Sequence, residues 1–116
     1  MTAQELRNRH CAPCRKGDPP LSAEQATEYL PALHADWALE NKACAISRSF
    51  RFDNYYQTIA FVNALAWIAH AQDHHPDLEV SYNRCRVHYS THSVGGLSAN
   101  DFICAARIDA LLPETG

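Results

Sequence analysis

The chain lacks an apolar run long enough to span a bilayer: its most apolar stretch, Ile59 to Ala69, is interrupted by Asn63. Met1 to Arg9 is polar and mixed in charge, without the apolar centre of a secretory signal. The expectation is a soluble, cytoplasmic protein with no membrane partner. Basic residues are not in excess either. Lys and Arg number 10 against 13 Asp and Glu, a net charge of −3, and they are scattered, which argues against direct nucleic-acid binding. Five cysteines form an odd number without regular spacing, which fits a reducing compartment better than a disulfide framework. With 47% hydrophobic residues in 116, the composition excludes disorder and is sized for a single core.

Histidine is what the chain has in plenty, with seven in all. His74-His75-Pro76 ends a helix-like run, and His92 closes a strand-like run downstream. An unperturbed imidazole changes charge near pH ~6.5, so these rings are suited to proton transfer at neutral pH. Pro76 disfavours the helical conformation at His75, which places a forced break in the chain at that residue.

Residues 1–20 read as a separate arm, in which Cys11-Ala-Pro-Cys14 and Lys16-Gly-Asp-Pro-Pro20 are turn chemistry. The second unit, residues 21–116, opens with Ser22 and Gln25 as the capping box of a helix that Pro31 ends or kinks. Ala26, Leu30 and Leu33 form its apolar side. Trp37 to Glu40 and Ile46 to Phe52 alternate as strands, joined by a hairpin turn at Asn41-Lys42. Asn54 caps a helix from Tyr55 to Gln72, with a stripe of Tyr55, Ile59, Val62, Ala66 and Ala69 widened by Phe61, Leu65 and Ile68. Leu78 to Tyr82 and Arg84 to His92 alternate as two further strands around a tight connection at Asn83. Gly95-Gly96 breaks the chain. Ser98 and Asp101 then cap a last helix whose buried side runs from Phe102 to Leu112, with Pro113 as its stop. The order α-β-β-α-β-β-α predicts an α+β fold, a four-stranded antiparallel sheet with helices packed on one face.

The string His74-His75-Pro76-Asp77, followed by Tyr82-Asn83, Thr91-His92, Gly96-Leu97 and Asp101, resembles the signature of the pterin-4a-carbinolamine dehydratases. The likeness runs from about Leu21 to Leu112 and includes Trp37 and Phe50-x-Phe52, and the arm with Cys11 and Cys14 is similar to a longer bacterial branch. The resemblance implies a hydro-lyase that converts a 4a-hydroxy-tetrahydropterin to quinonoid dihydropterin and water without a cofactor. It implies His74 and His92 as acid and base, His75 as an assisting and substrate-positioning ring, and Asp101 as a group that orients an imidazole or the pterin. It further implies a small-molecule pterin substrate, an aromatic amino-acid hydroxylase as the enzyme whose cofactor is recycled, and a homodimer or homotetramer. Members also serve as dimerisation cofactors of a homeodomain transcription factor in animals, so a non-catalytic binding or assembly protein on the same scaffold is the alternative.

One position departs from the family. His70 stands where a glutamate is usual, four residues before His74; on a helix the two would share a face and His70 would reach the substrate at the pocket rim. His70 and His74, with His75 or His92, also have spacing compatible with zinc, but His70-Ala-Gln-Asp-His74 lacks the glutamate of HExxH, and no metal is assigned. Cys11-x-x-Cys14 beside His10 is half of a zinc site, a redox pair or a structural turn; with no second CxxC it is read as a structural or unoccupied arm. Cys44, Cys85 and Cys104 read as small core or strand residues, Trp37, Phe50 and Phe52 as core, and His10, His34 and His88 as exposed.

Overall fold

The computed structural model describes residues 1–112. Helix α1 (Ala3–Arg7) is followed by an irregular segment, then α2 (Ala23–Tyr29), β1 (Ala38–Glu40), β2 (Ala45–Arg51), α3 (Tyr55–Gln72), β3 (Asp77–Ser81), β4 (Arg84–Tyr89) and α4 (Ala99–Asp109). The strands form one antiparallel sheet in the order β1-β2-β4-β3. This is the expected α+β architecture. Pro113, expected to stop the last helix, lies outside the described residues. No described helix is long and apolar enough to cross a membrane.

Alternation along the central strands decides which face is covered. Ile46 pairs with Tyr89 and Phe50 with Cys85, and all four are buried against the helices together with Val87. Arg48 lies in the same row, opposite Val87. It is kept there by an ion pair with Asp109 at 2.7 Å and by its guanidinium 4.2 Å above the Phe50 ring. Asp109 also accepts the Trp37 indole N–H at 2.8 Å and the His34 backbone N–H at 3.0 Å, so one carboxylate at the end of α4 fastens the helix to the sheet.

The opposite face of the sheet is polar. Glu40 on β1 accepts from Ser47 on β2 at 2.6 Å and from Arg86 on β4, while His88 on β4 stands between Glu40 at 3.3 Å and Glu79 on β3 at 2.8 Å. His88, expected as a plain surface residue, is half-buried and ties carboxylates of the two outer strands together.

Several boundaries depart from the sequence reading. The β1–β2 connection spans Asn41 to Cys44, with Asn41, Lys42 and Ala43 all in the left-handed region, rather than two residues, and it leaves Cys44 exposed. Strand β4 ends at Tyr89, not at His92, because Thr91 turns away to pair with Gly96 around Gly95 at φ +70°. In α3 the buried stripe is Thr58, Phe61, Leu65 and Ala69, whereas Tyr55 and Ala66, expected inward, are exposed. Thr58 is accommodated because its hydroxyl meets the carbonyls of Asn54 and Tyr82, each at 2.9 Å.

The first 20 residues do not stand apart. Thr2 caps α1, and Leu6 is completely buried in the common core, packed with α4. Farther along, the Asn100 side chain donates to the Ala12 carbonyl at 2.7 Å and accepts from its N–H at 3.0 Å, and the Cys11 N–H donates to Gln72 at 2.8 Å. An apolar anchor and these hydrogen bonds, joined by that of the Arg107 guanidinium to the Arg9 carbonyl at 2.7 Å, dock the arm. Leu6→Ala should therefore destabilise the chain by about 2–5 kcal/mol, measured as a lowered urea midpoint; an unmoved midpoint would mean that the arm contributes nothing to the core.

Candidate active site

The site is built where α3 ends. Asp73 takes the left-handed conformation, φ 51° and ψ 45°, and its N–H and that of His74 bond back to the carbonyls of the last turn. The helix thus breaks at Asp73, two residues before the position that Pro76 implied. The left-handed residue turns His74 inward, over Tyr89, whose ring stacks on the imidazole at 5.2 Å and whose hydroxyl donates to the His74 carbonyl at 3.1 Å.

Facing His74 is Asp101, in the first turn of α4. Its side chain is 0% exposed, and Oδ1 lies 2.6 Å from His74 Nε2. The other oxygen accepts the Thr91 hydroxyl and the Ser98 backbone N–H, each at 2.9 Å. Ser98 in turn caps α4, completing the capping box expected from sequence. Asp101 therefore caps its own helix and holds the imidazole at the same time. Asp101 does not line the cavity beside it, and its contact toward the site is with His74.

Burial works to lower the His74 pKa. The hydrogen bond and charge of Asp101, helped by the charges of Cys11 and Asp73, more than offset it and raise the pKa above the ordinary histidine value. In linkage terms the pair contributes stability that is fully present below the unfolded histidine range and is lost as pH rises through the folded pKa of His74.

A cavity of about 300 Å³ opens beside His74, lined also by Cys11, Cys14, Asp73, Thr91 and Ser93. That volume is at the lower end of small-molecule pockets. A larger cavity of about 1270 Å³ lies between α1, the segment after α2 and the end of α4, away from these histidines. The 93-residue stretch from 19 to 111 matches the family model described as pterin 4 alpha carbinolamine dehydratase.

The chain belongs to that family. Its members are named as dehydratases, which places the chain among the hydro-lyases. A relative from Nitrosomonas eutropha, assigned by name to the pterin-4-alpha-carbinolamine dehydratases, is 56% identical over 108 residues, covering 93% of this chain and 94% of its own. One from Legionella pneumophila is 51% identical over 110 residues, covering 95% and 97%. Among solved structures, a transcriptional coactivator/pterin dehydratase from Brucella melitensis superposes with a TM-score of 0.74 at 33% identity, over 79% of this chain and 97% of that one. A pterin dehydratase-like protein described as a RuBisCO assembly factor in the α-carboxysome superposes with a TM-score of 0.58 at 26% identity, over 67% and 90%.

Within the chain the expected site residues are not equally placed. His74 and Asp101 are in direct contact. His75 and His92 are exposed, the first with Nδ1 3.4 Å from the Pro76 carbonyl oxygen and the second opening a short 3-10 turn, His92–Val94. Neither hydrogen-bonds to His74 or Asp101 among the described residues. His70 does not follow His74, because the chain has already left the helix at Asp73. Its ring stays on the exposed side of α3, stacked on Trp67 at 5.4 Å. Among the described residues, no three His, Cys, Asp or Glu side chains converge in a geometry that could hold a metal ion.

Thr91, Tyr89 and Asn100 acquire structural roles that sequence did not assign. A polar residue preceding a candidate histidine, as Thr91 precedes His92, was the available signal for the first. Asp101→Asn should drop the His74 pKa below the ordinary histidine range, since burial then acts with less opposition; an imidazole NMR titration measures it. An unmoved titration would show that the carboxylate does not set the protonation of His74.

Proposed function

We propose that this chain dehydrates 4a-hydroxy-tetrahydropterins by imidazole acid/base catalysis, releasing quinonoid dihydropterin and water. The observation that carries this reading is the 2.6 Å contact between His74 and the fully buried Asp101, at the wall of a small cavity. The reaction removes a proton from N5 and hydroxide from C4a. It needs a donor near the departing oxygen and an acceptor near N5. A single well-placed acid or base contributes on the order of 10²–10⁴-fold.

With Nε2 engaged by Asp101, His74 has Nδ1 left for a ligand. Its raised pKa favours the imidazolium, which suits the acid that protonates the leaving hydroxyl. His92 then takes the N5 proton. His75, on the other side of the left-handed corner from α3, positions the pterin. The proton gained by one ring and lost by the other is restored through solvent after product leaves, so the cycle needs no cofactor. The reaction that supplies such a substrate is the hydroxylation of an aromatic amino acid with a tetrahydropterin as co-substrate.

His74→Ala and His92→Ala should each lower kcat by about 10²-fold or more with the urea midpoint of His92→Ala unchanged, whereas His75→Ala should act mainly on KM. Full turnover of synthetic 4a-hydroxy-tetrahydropterin by the His74 and His92 variants would rule this mechanism out. Exhaustive chelation should leave turnover intact; loss of activity restored by added zinc would move the reaction to a metal.

A binding role has its own support. Trp67 and Tyr56, 72% and 82% exposed, lie on the outer side of α3, an aromatic surface of the kind that protein partners cover. We further propose self-association through the edge strand β3, where Val80 is 44% exposed and one row of backbone groups has no neighbouring strand among the described residues. Light scattering at the monomer mass across a concentration series would contradict it.

A further inference from the structure

Cys11 and Cys14 line the cavity beside His74, Cys104 is buried against the first of them, and the proposed dehydration uses none of the three. The docked arm brings Cys11 Sγ to 3.5 Å from Cys104 Sγ, although the two are 93 residues apart. Cys14 stands nearby, its sulfur 3.4 Å from the Asn100 side-chain nitrogen. Cys11 is part-exposed and lines the cavity, so a small solute reaches it. Cys104 is fully buried on α4, three residues beyond Asp101, and its thiol points also to the His74 carbonyl at 3.9 Å.

From this juxtaposition we propose that Cys11 is a peroxide-oxidised thiol that closes a reversible disulfide with Cys104, and that this bond slows turnover at His74.

The two sulfurs are unequal in the way such a pair requires. The thiol of Cys104 holds Cys11 below the ordinary thiol range against the opposing effect of burial; the charges of His74 and Arg107 act in the same direction and Asp101 against it. The same contact, then burial, pushes Cys104 up, so it stays a thiol. Cys11 is thus the nucleophile. Its thiolate attacks one oxygen of hydrogen peroxide, the O–O bond breaks, and sulfenic acid forms with release of hydroxide, which is protonated to water. The Cys104 sulfur then attacks the Cys11 sulfur. The S–O bond breaks, and the departing hydroxide leaves as water with the Cys104 proton. In sum, two thiols and one peroxide give one disulfide and two waters.

The movement required is short. The sulfurs must close from 3.5 Å to about 2.05 Å, and the moving partner is the irregular arm, not the core helix. Closure draws one wall of the cavity toward α4. It also takes the Cys104 thiol away from the His74 carbonyl and removes the negative charge of Cys11, one of the charges that keep His74 protonated.

The test is peptide mapping of the full chain after hydrogen peroxide, with free thiols alkylated before digestion. A peptide joining Cys11 to Cys104, with loss of two hydrogens and return on adding dithiothreitol, is the expected result; it must persist in Cys14→Ser and vanish in Cys11→Ser. A link from Cys11 to Cys14 instead, or no link while exposed Cys44 is oxidised, overturns the proposal. In Cys104→Ser, which keeps a hydrogen-bond donor beside Cys11 but has no sulfur to resolve it, dimedone should trap the sulfenic acid on Cys11, and failure to label it counts against Cys11 as the attacking thiol. Turnover of 4a-hydroxy-tetrahydropterin should fall with the time course of linkage in the wild type and not in Cys11→Ser; linkage without loss of turnover overturns the effect on His74. The effect on turnover rests on the dehydratase reading, whereas the mapping is independent of it and separates the two.

Discussion

The carboxylate of Asp101 is the interaction on which the site depends. It is wholly buried, and it is tolerable there because each oxygen has its own donors: an imidazole on one side, a hydroxyl and a backbone N–H on the other. These donors come from three places in the chain: the corner after α3, the bridge after β4, and the start of α4. One side chain therefore fixes the mutual position of three segments. Loss of the charge loosens the corner that carries His74 and the cap of α4 together.

Around that centre the chain uses local backbone geometry in place of long-range rigidity. The left-handed Asp73 ends α3 and sends the two histidines of one sequence stretch to different environments. His70 remains outside, against Trp67, and His74 goes in, against Tyr89. Position 70 thus falls on the solvent side of the corner, where its side chain shapes the surface that α3 presents and not the His74–Asp101 contact.

Most of the architecture was legible because its elements are long enough to show a period. The alternation in β2 and β4, the caps at Ser22, Asn54 and Ser98, and the break at Gly95-Gly96 each have a direct physical reading, and the sheet follows from them. What was missed had no period to show. Helix α1 has five residues and one buried side chain, Leu6, so nothing in its pattern distinguishes it from a polar arm. Helix α3 is apolar nearly all round, which leaves its inward stripe undetermined until Thr58 finds its two carbonyl partners. At the site, the capping box at Asp101 could be read locally, but its contact with His74 joins residues 27 apart and came only from resemblance. The left-handed turn at Asp73 has only a weak signature, the tolerance of Asp for that region, and the helical spacing of His70 and His74 does not continue through it.

The polar ladder on the uncovered face of the sheet has a mechanical consequence. Glu40 sits on one outer strand and Glu79 on the other, and His88 reaches both from β4, one of the two strands between them. The two rims of the sheet are thereby coupled across its width. Whatever twists or displaces one rim must stretch that cross-tie and pull on the opposite rim, so the outer strands respond as a pair, and their coupling weakens in acid as the carboxylates take up protons.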